Sequence, residues 1–447
     1  MQGSSLNRIR EPIRKRRQRR DSPVRHPFLL LIFAIACGKG RSANRLGIRL
    51  LFALAVTGLG LLISGCAQQN SAGTSLELPN PPAPGSTLPA SVESQLAGFP
   101  PVPKVLPKPI VLGKAYPGVI VLPPHISEPW IRVKITPEEN TPPQVNAALY
   151  AGRVYDIRLP DGKYVAINSL PIEQYLTGVL SKELYANWSM AAYRAQAVAA
   201  RTYALYQIET FGRTHPWDVT GTQSSQVYGG RNAETPHSRL ATQETRGIVM
   251  EGEAHGQWGI FCAYFSACNG GAEESAHAAW GDHRVSTLVN KYTGDLDAAC
   301  PEFNWPTMAI PMWAITNAVH WWGVKNKVPY LADLGPITDI AITRSNPITG
   351  RPEIITLTDA AGHIGKMRAE VFRLALLMDP NPQIHAPPSS FFLMVRRPNE
   401  ILLVDGHGFG HGVGLSQWGA EKLATEGYSA RYILQMYYPG NILHREW

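Results

Sequence analysis

The chain has 447 residues and carries 42 Lys and Arg against 34 Asp and Glu, for a formal net charge of +8. With 44% hydrophobic residues and only five cysteines, its composition excludes both a small disulfide-stapled domain and a chain that is disordered throughout. Residues 1–65 hold thirteen basic and two acidic side chains, whereas the rest of the chain holds 29 basic and 32 acidic ones. The basic excess therefore belongs to the N-terminal segment, and nucleic acid is not an expected partner.

The first 65 residues are typical of a basic leader with a signal peptide. Arginines precede an uncharged apolar run over residues 50–63, which is shorter than the roughly 20 residues that a membrane-spanning helix needs. The run ends in Ile63-Ser64-Gly65-Cys66, which is similar to a bacterial lipobox. We therefore expect an exported lipoprotein, anchored to a membrane through Cys66 and facing the periplasm or cell wall. The alternatives are a plain secretory signal and a buried cysteine in an uncleaved anchor.

A proline-rich stretch follows Cys66, with ten prolines between residues 71 and 110. Such composition favours extended polyproline geometry and gives a semi-rigid spacer. Residues 66–118 are therefore predicted to form a lipidated linker. Over residues 117–143, irregular structure at the edge of a fold is an equally good interpretation.

Residues 119–447 are predicted to form one domain of the α+β class, mixed, with mainly antiparallel strands and a few helices. Alternating apolar residues predict the strands, and Pro160-Asp161-Gly162 predicts a hairpin turn because glycine supplies a positive φ. Ser189 is a plausible N-cap for the second helix. The predicted strands cover residues 131–135, 153–159, 163–167, 259–266 and 392–404, and the predicted helices cover residues 172–183, 190–209 and 417–426.

Glu183 is the most informative candidate for catalysis. It continues an apolar helix face that begins at Ile172 and includes Val179, which is an unusual place for a carboxylate. Desolvation and the negative end of the helix dipole should both raise its pKa, and an acid that stays protonated near neutral pH suits general acid catalysis. The alternative is a helix-end carboxylate that reaches water or pairs with Arg194 or Arg201.

A glycine-rich run, GHGFGHGVG over residues 406–414, precedes the sequence LSQWGA. In an extended segment, the alternate glycines would all face one side, so a sugar ring could lie against the backbone beside His407 and His411. The alternative is a tight turn in which glycine supplies a positive φ. The spacing matches neither a dinucleotide fingerprint nor a phosphate-binding loop.

The histidines and cysteines give weaker signals. His407 and His411 are four residues apart, but the glycines between them argue against the helix that an H-E-x-x-H zinc site requires. Cys262 and Cys268 lack a cysteine-hydrolase signature. In an exported protein a disulfide is expected, and Cys268 with Cys300 is the preferred pair because Cys262 falls on the apolar face of a predicted strand.

Four blocks of this sequence resemble the family of stage II sporulation protein D and the amidase enhancer LytB, which are bacterial cell-wall proteins. The blocks are LPIEQYLTGVLSKELYANWSMAAYRAQAVAARTYAL (170–205), HPWDVTGTQSSQVYGG (215–230), YFSACNGGAEESAHAAWG (264–281) and GHGFGHGVGLSQWGAEKLATEGYSARYILQMYYPG (406–440). The resemblance implies lytic cleavage of peptidoglycan glycan strands between N-acetylmuramic acid and N-acetylglucosamine, leaving a 1,6-anhydro end. Glu183 matches the family's catalytic glutamate, which would act alone as general acid and base. The positions implied to bind the glycan are Gln196, Arg201, Tyr228, Ser266, Gly270, Gly271, His411, Gly412, Ser416 and Gln417.

The chain departs from the family pattern near a zinc site that some members carry. Those members have cysteines after the histidine that corresponds to His215, whereas this chain has Thr220, Ser224 and Ser225. We therefore predict no metal there, and the single-acid chemistry requires no cofactor.

A second departure follows the catalytic position, where the family usually has Met-Pro and this chain has Leu184-Tyr185. The change could alter the local turn or the specificity. The resemblance also leaves a second function open: a wall-binding protein that stimulates a separate cell-wall amidase and cleaves nothing itself.

Overall fold

The computed structural model describes residues 113–447. The predicted leader over residues 1–65, the lipidation site Cys66 and nearly all of the predicted linker lie outside the described residues. The first strand begins at Lys114, ahead of the boundary predicted at residue 119, so the end of the predicted linker is part of a sheet. Within the described part, no helix is long and apolar enough to cross a membrane.

The described part of the chain contains groups of strands separated by single helices or pairs of helices. The strands are β1 Lys114–Tyr116, β2 Val119–Val121, β3 Trp130–Lys134, β4 Arg153–Arg158, β5 Tyr164–Pro171, β6 Val219–Thr220, β7 Ile248–Ala254, β8 Gln257–Ile260, β9 Phe265–Ser266, β10 Ala272–Glu273, β11 Lys291–Tyr292, β12 Asn304–Trp305, β13 Met308–Pro311, β14 Ile337–Ser345, β15 Pro352–Asp359, β16 Ile364–Arg368, β17 Phe391–Arg396, β18 Glu400–His407, β19 Leu415–Ser416 and β20 Ile442–Arg445. The helices are α1 Ile172–Glu183, α2 Met190–Glu209, α3 Pro236–Glu244, α4 Ala276–Trp280, α5 Met312–Lys325, α6 Pro329–Ala332, α7 Ala369–Met378, α8 Gln417–Thr425 and α9 Ala430–Tyr437.

The sheets are mainly antiparallel, which confirms the predicted α+β class. One sheet has the strand order β1-β2-β8-β7-β20 and another has β4-β5-β3-β6. Among the ladders between described strands, β3 with β6 and β9 with β19 are the parallel pairs.

Helix α1 follows directly from the β4-β5 hairpin, and both were predicted. At the turn, Leu159 N–H donates to Lys163 O at 2.7 Å, and Gly162 has a φ of 89°. Helix α1 then covers the predicted residues, with Ile172 and Val179 fully buried on its apolar face. The hairpin and the buried face fix the direction of the helix and therefore the position of Glu183 at its end.

Helix α2 is the central helix of this region. It is rich in alanine, the best helix former, and its small side chains let neighbouring elements pack closely on several sides. Ala195 and Ala199 pack in one core cluster, Ala200 in a second and Ala197 in a third. The helix therefore ties together the elements that carry the site.

Residues 304–403 contribute a separate hydrophobic core that the sequence analysis did not anticipate. Helices α5 and α7 pack there against two sheets, β12-β18-β13 with β17 beside β18, and β14-β15-β16. The segment predicted as one strand over residues 392–404 is an antiparallel hairpin of β17 and β18. The predicted strand over residues 259–266 is also interrupted, since β8 ends at Ile260 and β9 begins at Phe265.

Candidate active site around Glu183

Glu183 lies where three distant parts of the chain meet. Its Oε1 accepts a hydrogen bond from Val227 N–H at 2.8 Å, and its Oε2 accepts one from Gln417 Nε2 at 3.1 Å. Gln417 is the first residue of α8, and Val227 lies in the loop after β6. Residue 183 as a whole is of intermediate exposure, and the two hydrogen bonds orient its carboxyl group.

Two opposing effects act on the Glu183 carboxyl group. Burial raises its pKa above the usual glutamate value, and the hydrogen bonds from Val227 and Gln417 lower it by a smaller amount. The two donors would also stabilise the anion that forms when the acid gives up its proton. The site therefore suits a group that donates a proton and later takes one back.

The arginine partners considered for Glu183 are engaged elsewhere. Arg194 Nε pairs with Glu244 at 2.5 Å, and Arg201 Nη2 pairs with Glu173 at 2.7 Å. Arg201 is fully buried, and its guanidinium also donates to backbone oxygens in the core. Arg201 is therefore part of the buried core in this structure, and its contact with the glycan stays a prediction.

Gln196 and Tyr228 also lie beneath the surface. Gln196 on α2 has no exposed surface, and neither atom of its amide has a hydrogen-bond partner among the described residues. Tyr228 is 9% exposed, and its hydroxyl donates to Asn168 Oδ1 at 2.9 Å. Both side chains are therefore packed in the interior, and their contact with the glycan stays a prediction.

Ser266 and Ser416 lie side by side in the parallel pair of β9 and β19. Ser266 Oγ accepts a hydrogen bond from Gly412 N–H at 3.2 Å and donates to Asn269 Oδ1 at the same distance. Ser416 Oγ caps α8 by accepting from Gly419 N–H. The predicted residues of the third and fourth sequence blocks thus meet at the N-terminus of the helix that presents Gln417.

Asp297 links the third and fourth sequence blocks through hydrogen bonds. No motif in the sequence indicated this role. Its carboxylate accepts hydrogen bonds from the backbone N–H groups of Asn269 at 2.5 Å, Gly270 at 3.2 Å and Gly271 at 3.3 Å. It also accepts one from Ser416 Oγ at 2.9 Å. The residue is 1% exposed, so a buried carboxylate with four hydrogen-bond donors fixes the loop next to Gln417.

Arg351 also links these loops through hydrogen bonds, and the sequence analysis did not identify it. It lies just before β15 and donates through Nη1 to Asn269 O at 2.9 Å and to Ala272 O at 3.0 Å. Its Nη2 donates to His411 O at 3.3 Å, and Glu274 is its ion-pair partner at 3.7 Å. The core over residues 304–403 thereby contributes one buried cation to the loops at the site.

The glycine-rich run is not an extended face, which corrects one expectation. Positive φ values of 82°, 103°, 71° and 68° occur at Gly408, Gly410, Gly412 and Gly414, whereas Gly406 belongs to β18. These angles fit the alternative considered above, a tight turn that only glycine adopts readily. The turn packs closely: a Cβ at position 414 would lie 2.2 Å from a backbone oxygen.

His411 is a neutral side chain in this turn. Burial lowers its pKa to about 4, and its Nδ1 accepts a hydrogen bond from Val413 N–H at 3.0 Å. The ring proton therefore resides on Nε2. The ring packs edge-on against Trp280 and Tyr264. His411 is thus a neutral side chain packed in an aromatic cluster.

Cys268 and Cys300 lie side by side, although the structure holds them as free thiols. Cys268 Sγ lies 3.9 Å from Asp297 O, which also accepts a hydrogen bond from Cys300 N–H at 3.0 Å. A hydrogen bond to Cys300 and burial raise the pKa of the Cys268 thiol. The predicted pair is thus adjacent, while the disulfide itself stays a prediction.

His215 is an exposed side chain that contacts its neighbours in the chain. Its ring stacks on Phe211 with a centroid distance of 3.7 Å, and Thr220 Oγ1 donates to Ser225 Oγ at 3.3 Å in the neighbouring loop. Within residues 113–447, no group of three or more His, Cys, Asp or Glu side chains is placed to hold a metal ion.

A cavity of about 320 Å³ lies between α5, α6, α7 and β16, and Trp280, whose ring packs against His411, also lines it. Trp322, Tyr330 and Arg368 are among its lining residues, and none of the predicted site residues lines it.

Comparison with known proteins identifies the family. The sequence profile of the SpoIID family, described as Stage II sporulation protein, matches residues 160–251. Over 299 residues, the chain is 32% identical to an uncharacterized protein of Brachyspira hyodysenteriae, covering 66% of this chain and 72% of that protein. The chain belongs to the SpoIID family. This confirms the resemblance inferred from the four sequence blocks.

Two relatives with descriptive names are more distant. The chain is 27% identical over 298 residues to the amidase enhancer of Bacillus subtilis, covering 60% of this chain and 40% of that protein. It is 25% identical over 289 residues to stage II sporulation protein D of the same organism, covering 62% of this chain and 75% of that protein. The SpoIID profile region contains Glu183 and Val227, whereas Gln417 lies outside it.

Proposed function

We propose that this SpoIID family protein is a peptidoglycan lytic transglycosylase that cleaves glycan strands between N-acetylmuramic acid and N-acetylglucosamine, with Glu183 as its single general acid and base. The observation that carries the proposal is the setting of the Glu183 carboxyl group. It has a pKa raised by burial and accepts one hydrogen bond on each oxygen. These are the properties that proton transfer to a glycosidic oxygen requires.

In the first step, protonated Glu183 gives its proton to the glycosidic oxygen as the C1–O4 bond breaks. The bonding electrons leave with the N-acetylglucosamine oxygen, which becomes a hydroxyl group. Positive charge develops on C1 of the muramic acid residue, where the substrate's own acetamido oxygen can stabilise it. Val227 N–H and the Gln417 amide stabilise the carboxylate that remains on the protein.

In the second step, the C6 hydroxyl group of the same muramic acid residue attacks C1 and closes the 1,6-anhydro ring. The hydroxyl proton passes to the Glu183 carboxylate, which restores the starting acid. Water is neither consumed nor released. The reaction therefore needs no second carboxylate to activate a water molecule. The partners that Glu183 has in the described part of the chain are neutral amide groups, consistent with this scheme.

The second candidate function comes from the amidase enhancer among the relatives. In that case the protein would bind peptidoglycan and stimulate a cell-wall amidase without cleaving glycan. Both functions require export, and we propose that the protein is held at a membrane by a lipid on Cys66.

The proposal is tested by incubating the purified protein with glycan strands, with and without stem peptides, and analysing the products by mass spectrometry. Wild type should release anhydro-ended fragments, and Glu183→Gln should release none. Glu426→Gln, which changes an exposed carboxylate paired with Lys422, is the matched control and should cleave like wild type. Absence of products from wild type, together with faster peptide release by an added amidase, would support the second function instead.

A further inference from the structure

Three aromatic side chains form a cluster beside Glu183. The ring centroids of Tyr185 and Trp188 are 5.2 Å apart, those of Tyr185 and Trp418 are 5.7 Å apart, and those of Trp188 and Trp418 are 5.1 Å apart. Tyr185 follows Glu183 by two residues, and Trp418 follows the Gln417 that bonds to Glu183. The cluster is therefore next in sequence both to Glu183 and to the glutamine that bonds to it.

The loop that carries Tyr185 is firmly held. Tyr185 O accepts hydrogen bonds from Trp188 N–H and from the Tyr193 hydroxyl, both at 3.1 Å. Ser189 N–H and Oγ donate to the Glu421 carboxylate at 2.8 Å and 3.0 Å. Helix α8 thus supplies both Trp418 and the carboxylate that anchors the end of this loop. An aromatic ring on such a support is pre-organised for binding, because little of its freedom remains to be lost.

Tyr185 is the exposed side chain of the cluster, whereas the two tryptophans pack against the protein. Trp188 is 7% exposed and belongs to a core cluster, and Trp418 packs against that cluster, whereas Tyr185 is 43% exposed. What distinguishes Tyr185 from other exposed aromatic side chains is its position: its ring is backed by two indole rings and lies two residues from the acid. Such an aromatic surface matches the apolar face of a pyranose ring.

We propose that Tyr185, backed by Trp188 and Trp418, stacks on one N-acetylated pyranose of the glycan strand in a subsite adjoining the scissile bond. The inference rests on the proposed function for the identity of the glycan. It assigns a specificity role to the position at which this chain departs from the Met-Pro of its family.

The test measures binding apart from cleavage. Full-length Glu183→Gln is titrated with peptide-free glycan oligosaccharides and compared with Glu183→Gln proteins that also carry Tyr185→Ala or Tyr185→Phe. Loss of the stacking ring should weaken binding about tenfold, and the phenylalanine variant should stay within about twofold. Tyr428→Ala, which removes another tyrosine of similar exposure at 41%, is the control and should bind like its parent.

The possible failures are distinguishable. Equal affinity of the Tyr185→Ala variant and its parent, or no binding by the parent, would overturn the subsite. If wild type releases anhydro products and Tyr185→Ala leaves KM and fragment lengths unchanged, the subsite fails and the proposed function stands. If wild type cleaves nothing but Tyr185→Ala still weakens binding, the catalytic proposal fails and the subsite stands. Thermal unfolding of each variant checks that the fold is intact.

Discussion

Gln417 donates a hydrogen bond from Nε2 to Glu183 Oε2 at 3.1 Å, across 234 positions of the sequence. The acid ends α1, and its amide partner begins α8. A proton-transfer site built in this way depends on the correct docking of two distant sequence blocks. Residues that secure the docking therefore affect the acid without touching it.

Replacing Gln417 with leucine should change the pH dependence of cleavage. The Gln417 hydrogen bond favours the Glu183 anion and lowers its pKa, so the loss of this bond raises the pKa further. Since the acid must be protonated for the first step, kcat/KM falls as pH rises through this pKa. We expect the falling limb of the profile to move to higher pH. The maximum rate should drop about 10- to 100-fold, because the carboxylate formed in the reaction loses a charge-assisted hydrogen bond.

Gln243→Leu is the matched control, since Gln243 is an exposed glutamine on α3. Its pH profile should coincide with that of wild type. A limb that moves to lower pH in Gln417→Leu, or does not move, would contradict the assignment of Glu183 as the acid.

Replacing Asp297 with alanine should loosen the loop over residues 269–271. Three backbone N–H groups and the Ser416 hydroxyl lose their common acceptor, and each bond to a charged acceptor contributes about 1.5–3 kcal/mol. We expect faster hydrogen exchange in the peptide that contains these residues, and cleavage reduced more than about tenfold. Asp295→Ala is the control because Asp295 is an exposed neighbour. Unchanged exchange in Asp297→Ala would show that the loop is held by other contacts.

Replacing Arg201 with alanine should primarily affect stability. The change leaves the Glu173 carboxylate buried without its cation, which costs about 3–5 kcal/mol in the free energy of unfolding. Arg344→Ala breaks the more exposed ion pair with Glu353 and should cost less than about 1 kcal/mol. Urea unfolding of both variants checks the difference. An Arg201→Ala protein that is as stable as wild type but no longer binds glycan would contradict this prediction. It would indicate that Arg201 contacts the glycan.

Local patterns predicted the elements that carry Glu183, because those signals are contained in short stretches of sequence. The hairpin turn at Gly162 and the apolar face of α1 depend on neighbours within a few residues. The contacts made by Asp297 and Arg351 join residues far apart in sequence, and no local pattern marks them. The glycine-rich run had two interpretations, because alternate glycines suit both an extended face and a turn. In the structure, the glycine-rich run packs closely against β9 and the loop that follows it, and this packing favours the turn.

The predicted anchor is tested at Cys66. Without the thiol that receives the lipid, Cys66→Ala should be released from membranes, whereas wild type should sediment with them. Cys262→Ala is the control, because this buried cysteine belongs to the folded domain. Continued membrane association of Cys66→Ala would contradict lipidation at this residue.

The central claim is that one carboxyl group cleaves the glycan without water. Peptide-free glycan strands are therefore digested by wild type in water enriched in heavy oxygen, and the new ends are analysed by mass spectrometry. The account predicts 1,6-anhydro ends that carry no label, and no new ends with Glu183→Gln. New reducing ends that carry the heavy oxygen would show hydrolysis and contradict the account.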